Sequence, residues 1–171
     1  WKGFVDSVIG AGIISAMMFL IMLAAEIFSV ALALSQLPNT LSLWVAGLDM
    51  PPIVVLLCLL LAYVVLGCFM ESLAMVLLTL PVFIPVMLTL DFGIPSDAVL
   101  IWFGILVLMS VETGMISPPF GLNLFLINSI AKDIPIQHTY VGVLGFYLMD
   151  LLRILLIVFF PWLALWMTGL L

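Results

Sequence analysis

Apolar residues run through this chain in long blocks, and polar residues gather in a few short ones. Residues 8–36 form one apolar stretch, which at about 1.5 Å rise per residue is long enough to cross the roughly 30 Å hydrocarbon of a bilayer with tilt to spare. This stretch predicts a first spanning helix. Residues 37–52 hold Pro38, Asn39, Thr40, Ser42, Gly47, Asp49, Pro51 and Pro52, and this punctuation predicts an outer loop or short interfacial segment with Trp44 at headgroup depth.

Residues 53–90 pose a length problem. As one straight helix they would run about 57 Å, nearly twice the hydrocarbon thickness, so the chain must fold back. The only polar interruption near the middle is Gly67-Cys68-Phe69-Met70-Glu71-Ser72, which is not an aqueous loop. Pro81 and Pro85 are expected to break the second arm again, since each removes an amide donor. A re-entrant hairpin with its tip held at membrane depth fits this pattern; two ordinary antiparallel spans joined by a tight turn are the alternative.

After the polar loop at Asp91–Asp97, a second over-long run covers 98–131 and is interrupted by Ser117-Pro118-Pro119-Phe120-Gly121. Adjacent prolines lack donors and push the preceding residue out of the α region. The expectation is a broken helix, two half-helices joined by unwound backbone, with a simple proline kink as the bland alternative. Lys132, Asp133, Pro135, Gln137 and His138 mark another interfacial loop, and residues 139–169 predict a C-terminal spanning helix with Asp150 and Arg153 at i,i+3 spacing and Pro161 late. The fold class expected is therefore all-α integral membrane, with spanning helices, a re-entrant helical hairpin and a broken transmembrane helix.

Composition agrees: 67% of the 171 residues are hydrophobic and 7% are charged, where a soluble domain has about 25% charged. Three cations against nine acids leave no basic patch for nucleic acid. Cys58 and Cys68 read as small apolar residues within an apolar run, and His138 as a solvated loop residue. No Gly-x-Ser-x-Gly or His-Glu-x-x-His motif is present, so an intramembrane enzyme is not expected. Lys2 and Lys132 place both ends of the region between them on the cytoplasmic side by the positive-inside rule. The loops at 37–52 and 91–97 and the C-terminus would then face out. A chain opening at Trp1 reads as part of something larger.

The candidate chemistry lies at the two interruptions. Half-helix ends expose carbonyls and amides without intrahelical partners; such carbonyls can replace water around Na⁺, and half-helix N-termini favour anionic groups. Glu71 and Ser72 at the hairpin tip and Glu112 to Gly121 at the break are thus expected to approach each other and form cation sites. Gly67, Gly114 and Gly121 flank the interruptions and permit close backbone approach. Glu26, in the first span, is either a proton or cation group or an acid satisfied within the bundle. A purely structural membrane subunit would need none of these.

The order Gly67-Cys-Phe-Met-Glu-Ser-Leu-Ala74, Leu80-Pro-Val-Phe-Ile-Pro85, Trp102-Phe-Gly104, Glu112-Thr-Gly-Met-Ile-Ser-Pro-Pro-Phe-Gly-Leu-Asn-Leu-Phe125 and Asp150-Leu-Leu-Arg153 closely resembles the C-terminal half of TRAP transporter large permease subunits, the DctM-like branch of the ion-transporter superfamily. The resemblance covers essentially the whole chain. It implies one inverted-repeat unit of an elevator transporter in the bacterial inner membrane. Such a transporter imports small organic acids, such as C4-dicarboxylates or sialic acid, from a periplasmic binding protein, driven by Na⁺ and without a cofactor.

Partners implied are the N-terminal half of the large permease, a small four-helix membrane subunit and the binding protein. Carried over residue by residue, Gly114 and Ser117 match Na⁺-ligating positions, Ser117 standing where the family usually has Thr. Met70, Glu71 and Ser72 match the hairpin tip, and Gly67, Pro118, Pro119, Gly121 and Asn123 the loops that enclose substrate and ion. A carrier of the same superfamily that takes dicarboxylate or citrate without a binding protein is the alternative.

Overall fold

The computed structural model describes residues 1–117, 121–130 and 135–169. Every element among them is helical: α1 (Lys2–Ser35), α2 (Leu37–Ala46), α3 (Pro52–Gly67), α4 (Ser72–Thr89), α5 (Ser96–Met115), α6 (Leu122–Ile130), α7 (Ile136–Phe159) and α8 (Trp162–Leu165). Of these, α1, α4, α5 and α7 are long and apolar enough to cross a membrane. The chain is an all-α, multi-pass integral membrane protein.

α5 is the central element. Val99, Trp102, Phe103, Leu106, Val107 and Val111 are all but fully buried, because α3, α4 and α7 pack around them. Tyr63 of α3 sits edge-on to Phe83 of α4 and Phe103 of α5, with ring centroids 5.6 and 6.4 Å away. Its hydroxyl is 2.7 Å from that of Thr79, which also donates to the Met75 carbonyl. A hydroxyl has one proton, so Tyr63 is the donor to Thr79. This polar contact ties the two hairpin arms inside an otherwise apolar core.

Three expectations are corrected. Residues 37–46 are helical rather than loop: Pro38 occupies the first turn of α2, where no amide donor is required, and the left-handed Gln36 (φ 58°) joins α1 to α2 without a longer connection. Pro81 and Pro85 do not break the second arm, since α4 runs continuously through both; each removes one hydrogen bond, a loss that packed neighbours in a membrane helix can accommodate. The C-terminal helix does not extend to 169. It stops at Phe159, where Phe160 (φ −127°, ψ 71°) precedes Pro161 and is forced out of the α region, and only the short α8 follows.

Pro161 has a second effect. Without an N–H it cannot serve the Ile157 carbonyl four residues earlier, and the Trp102 indole N–H fills that place at 2.9 Å. A proline just past the end of α7 and a tryptophan on α5 thereby fix how these helices dock. Asp150 and Arg153 form the expected pair, at 3.0 Å.

Candidate ion and substrate site

The hairpin turns at Cys68–Glu71. The Leu66 carbonyl accepts from both Phe69 N–H (3.0 Å) and Met70 N–H (2.9 Å), a tight end to α3. The carbonyls of Gly67, Cys68 and Met70 accept no hydrogen bond from the described residues. Glu71 then caps α4. Its Oε1 accepts from Leu73 N–H at 3.0 Å and from the Ser72 hydroxyl at 3.3 Å, and its Oε2 from Ala74 N–H at 2.9 Å. The carboxylate thus meets the positive end of α4. Sequence reasoning placed Glu71 at the hairpin tip but missed this capping role, although an acid just before Ser72 and an apolar run is the pattern that signals one.

At the other interruption, α5 ends in a tight turn with Ile116 N–H bonded to the Thr113 carbonyl (3.3 Å) and Ser117 N–H to that of Gly114 (3.0 Å). Pro118 and Pro119 lie outside the described residues, but their chemistry means that the Gly114 and Met115 carbonyls have no donor at i+4. Ser117 is buried, and its hydroxyl donates to the Tyr147 hydroxyl of α7 at 3.3 Å. Gly121 has φ +34°, and a Cβ there would stand 3.0 Å from the Ser117 carbonyl oxygen, so the two ends of the break lie close together. The Gly121 carbonyl accepts from Leu124 N–H at 2.8 Å and starts α6, on which Asn123 is half-buried.

The two interruptions meet through glycine. A Cβ built on Gly114 would lie 2.6 Å from the Val64 oxygen and 2.8 Å from Gly67 Cα, and one on Gly67 would lie 2.9 Å from the Val111 oxygen. The C-terminal ends of α3 and α5 therefore touch backbone to backbone. Of the residues expected in the site, Gly67 and Gly114 are in direct contact, Ser117 and Gly121 adjoin one another across the break, and Met70, Glu71 and Ser72 form the tip beside Gly67. Glu112 is exposed on α5 and holds no part of this junction. Tyr147 is a residue that sequence reasoning missed, because nothing local marks a tyrosine 30 residues away as a partner of Ser117.

The junction is not at the end of the bundle. Ala74 and Leu78, near the start of α4, share a cavity with Ile21, Ala24, Ala25 and Phe28 of α1, and α1 continues from there to Lys2, about 28 Å at helical rise. Similarly, α7 meets Ser117 at Tyr147 and extends to Ile136 beyond it, about 16 Å further.

Comparison with known proteins gives the family. The family described as "Tripartite ATP-independent periplasmic transporter, DctM component" matches residues 1–163. The chain is 29% identical over 151 residues to the C4-dicarboxylate TRAP transporter large permease protein DctM of Pseudomonas aeruginosa, covering 88% of this chain and 34% of that protein. It is 30% identical over 129 residues to the isethionate TRAP transporter permease protein DctMQ of Oleidesulfovibrio alaskensis, covering 75% and 19%. It is 28% identical over 160 residues to the sialic acid TRAP transporter large permease protein SiaM of Vibrio cholerae, covering 94% and 36%. The chain spans about a third of the length of most of these relatives. No solved structure matches it at a significant level. A match over residues 1–163 leaves only the last eight outside it, and the chain belongs to the DctM component family of tripartite ATP-independent periplasmic transporters.

Proposed function

We propose that this chain is part of the permease of a Na⁺-coupled secondary transporter in the bacterial inner membrane, with α3 and α4 as a re-entrant hairpin and α5 and α6 as a broken transmembrane helix. The observation that carries the reading is the Gly67–Gly114 contact, set partway along the longer α1 and α7. α3 has 16 residues, about 24 Å at helical rise, short of the roughly 30 Å of hydrocarbon. A helix that stops inside lipid leaves carbonyls that must find a partner. At this junction the Gly67, Cys68 and Met70 carbonyls, which accept no hydrogen bond from the described residues, and the Gly114 and Met115 carbonyls, which lack a donor at i+4, join the Ser117 hydroxyl as an oxygen set suited to Na⁺.

In this reading Ser117 and the Gly114 and Met70 carbonyls are ion ligands. Glu71 and Ser72 hold the tip in shape and add negative potential, and Gly121 with Asn123 borders the substrate. Na⁺ binding would draw the hairpin tip against the break, and the packed body around α5 would then carry a small organic anion across by an elevator motion. The relatives are named for a C4-dicarboxylate, isethionate and sialic acid, and the substrate class proposed is as broad as these small organic anions. The partners proposed are the remainder of the permease, a small membrane subunit and a periplasmic binding protein.

The test is uptake of labelled C4-dicarboxylate and sialic acid into proteoliposomes holding the complete permease, the small subunit and the binding protein, with and without an inward Na⁺ gradient. Uptake is expected only with the gradient and is expected to fall sharply in Ser117→Ala. Uptake that proceeds equally well without Na⁺ would overturn the ion assignment.

A further inference from the structure

The junction described above makes no use of Glu26. This acid stands midway along the 34-residue apolar α1, exposed on that helix, and it forms no hydrogen bond or ion pair with any described residue. It lines a cavity of about 280 Å³ between α1 and α4 together with Ser29, Leu77, Leu80, Pro81 and Ile84. The two elements packed beside α1, α2 and α4, contain no charged side chain, so neither neutralises it.

Each wall of that cavity offers oxygen. Ser29 lies one turn beyond Glu26 and makes no hydrogen bond to its own helix, whereas Ser7, Ser35, Ser42 and Ser129 each bond to a carbonyl three or four residues earlier. Its hydroxyl is left to serve the cavity. On α4, Pro81 has no N–H to give to the Leu77 carbonyl, and Pro85 has none for that of Pro81. Helical carbonyls point along the axis toward the residue four ahead, so the freed Leu77 oxygen lies on the Leu77–Pro81 side of α4, and both of these residues line the cavity with Glu26. Glu26, Ser29 and Leu77 thus line one cavity, and among the described residues neither the Glu26 carboxylate nor the Ser29 hydroxyl has a hydrogen-bond or ion-pair partner.

We propose that Glu26, Ser29 and the Leu77 carbonyl form a second monovalent-cation site, between α1 and α4, separate from the hairpin–break junction. A small cation is the ligand that suits it: hard cations take oxygen ligands, and main-chain carbonyls freed from helical bonding serve as ligands for Na⁺ in membrane transporters. Since α1 and α4 each contribute, an ion held here would bind the hairpin to α1 when occupied and release it when empty.

The experiment is equilibrium binding of radiolabelled Na⁺ to the purified complete permease, with melting temperature in Na⁺-free choline buffer as the folding control. Glu26→Gln is expected to bind one Na⁺ fewer than the unsubstituted permease, with Glu26→Asp retaining it. Ser29→Ala is expected to weaken that ion about tenfold, the loss of one ligating hydrogen-bond-strength contact. Pro81→Ala, which returns a donor to the Leu77 carbonyl, is expected to weaken it likewise while leaving α4 at least as stable. Ser117→Ala should leave this ion in place. A folded Glu26→Gln permease with unchanged Na⁺ stoichiometry overturns the proposal. If Glu26→Gln fails to fold, unchanged affinity in both Ser29→Ala and Pro81→Ala overturns it instead. A permease that binds no Na⁺ at all would remove this site and the junction together, whereas a loss confined to Ser117→Ala would remove this one alone.

Discussion

Gly67 and Gly114 touch through their backbones, and a single added methyl on Gly114 would come within 2.6 Å of the Val64 oxygen. Real Cβ atoms do not approach oxygen that closely, so any side chain there must drive α3 and α5 apart. This contact holds the C-terminal end of α3, beside the hairpin tip, against the C-terminal end of α5.

Gly114→Ala in the complete permease is expected to destabilise it by about 1–3 kcal/mol through overpacking, and Gly67→Ala by somewhat less, with Na⁺-dependent uptake falling in both. Gly104→Ala is the control, since no atom lies within 4 Å of a Cβ at that position of α5; it should be neutral or stabilising by up to about 1 kcal/mol. Thermal unfolding in detergent followed by fluorescence distinguishes these outcomes, and equal losses at Gly104 and Gly114 would contradict the backbone contact.

Trp102→Phe is expected to cost about 1–3 kcal/mol, because it leaves the Ile157 carbonyl without the donor that Pro161 cannot supply. Pro161→Ala provides a new N–H four residues after Ile157 and should recover part of that loss in the double variant. A double-mutant cycle on melting temperature reads this coupling; strict additivity would show that the indole N–H and the proline act independently.

The Tyr63–Thr79 contact predicts an asymmetry. Tyr63→Phe removes a donor while Thr79 keeps its bond to the Met75 carbonyl, so the expected loss is about 0.5–1.5 kcal/mol. Thr79→Val strands the Tyr63 hydroxyl in a fully buried position, and the expected loss is larger, about 1–3 kcal/mol. Chemical unfolding of the two variants should rank them in that order.

Substitutions at Glu71 separate helix capping from ion ligation. Glu71→Ala removes acceptors for Leu73 and Ala74 N–H and should cost about 0.5–2 kcal/mol of α4 stability. Glu71→Asn preserves a capping oxygen, and the helix start should be largely retained. If the main-chain carbonyls of the tip are the ligands, Na⁺-driven uptake should persist in Glu71→Asn at reduced rate. Abolished uptake in a folded Glu71→Asn variant would make the carboxylate itself a ligand.

Much of the architecture was legible along the chain because membrane insertion imposes length. Runs of apolar residues nearly twice as long as the hydrocarbon thickness had to turn or break, and the chain turns at Cys68–Glu71 and leaves the helix after Met115, where polar or proline residues interrupt those runs. Local rules were less reliable where proline was concerned. Pro38, Pro81 and Pro85 all read as punctuation, yet they lie within helices, because the effect of a missing N–H depends on whether that donor was required and on what packs beside it.

The sequence by itself determined that this chain lives in a membrane, which of its apolar runs are too long to cross it once, and which residue types stand at the two interruptions, since all of these follow from hydrophobic length and backbone chemistry. Only the tertiary structure decided that Gly67 meets Gly114, that Tyr147 holds Ser117, that Trp102 completes the bond Pro161 withholds, and that Glu26 faces the proline-bearing side of α4. Each of these joins residues from different helices, and the rotation of one helix about its axis relative to another is set by side-chain packing across the bundle. Composition and spacing along a single helix carry almost no record of it in a chain whose helices are apolar on every face.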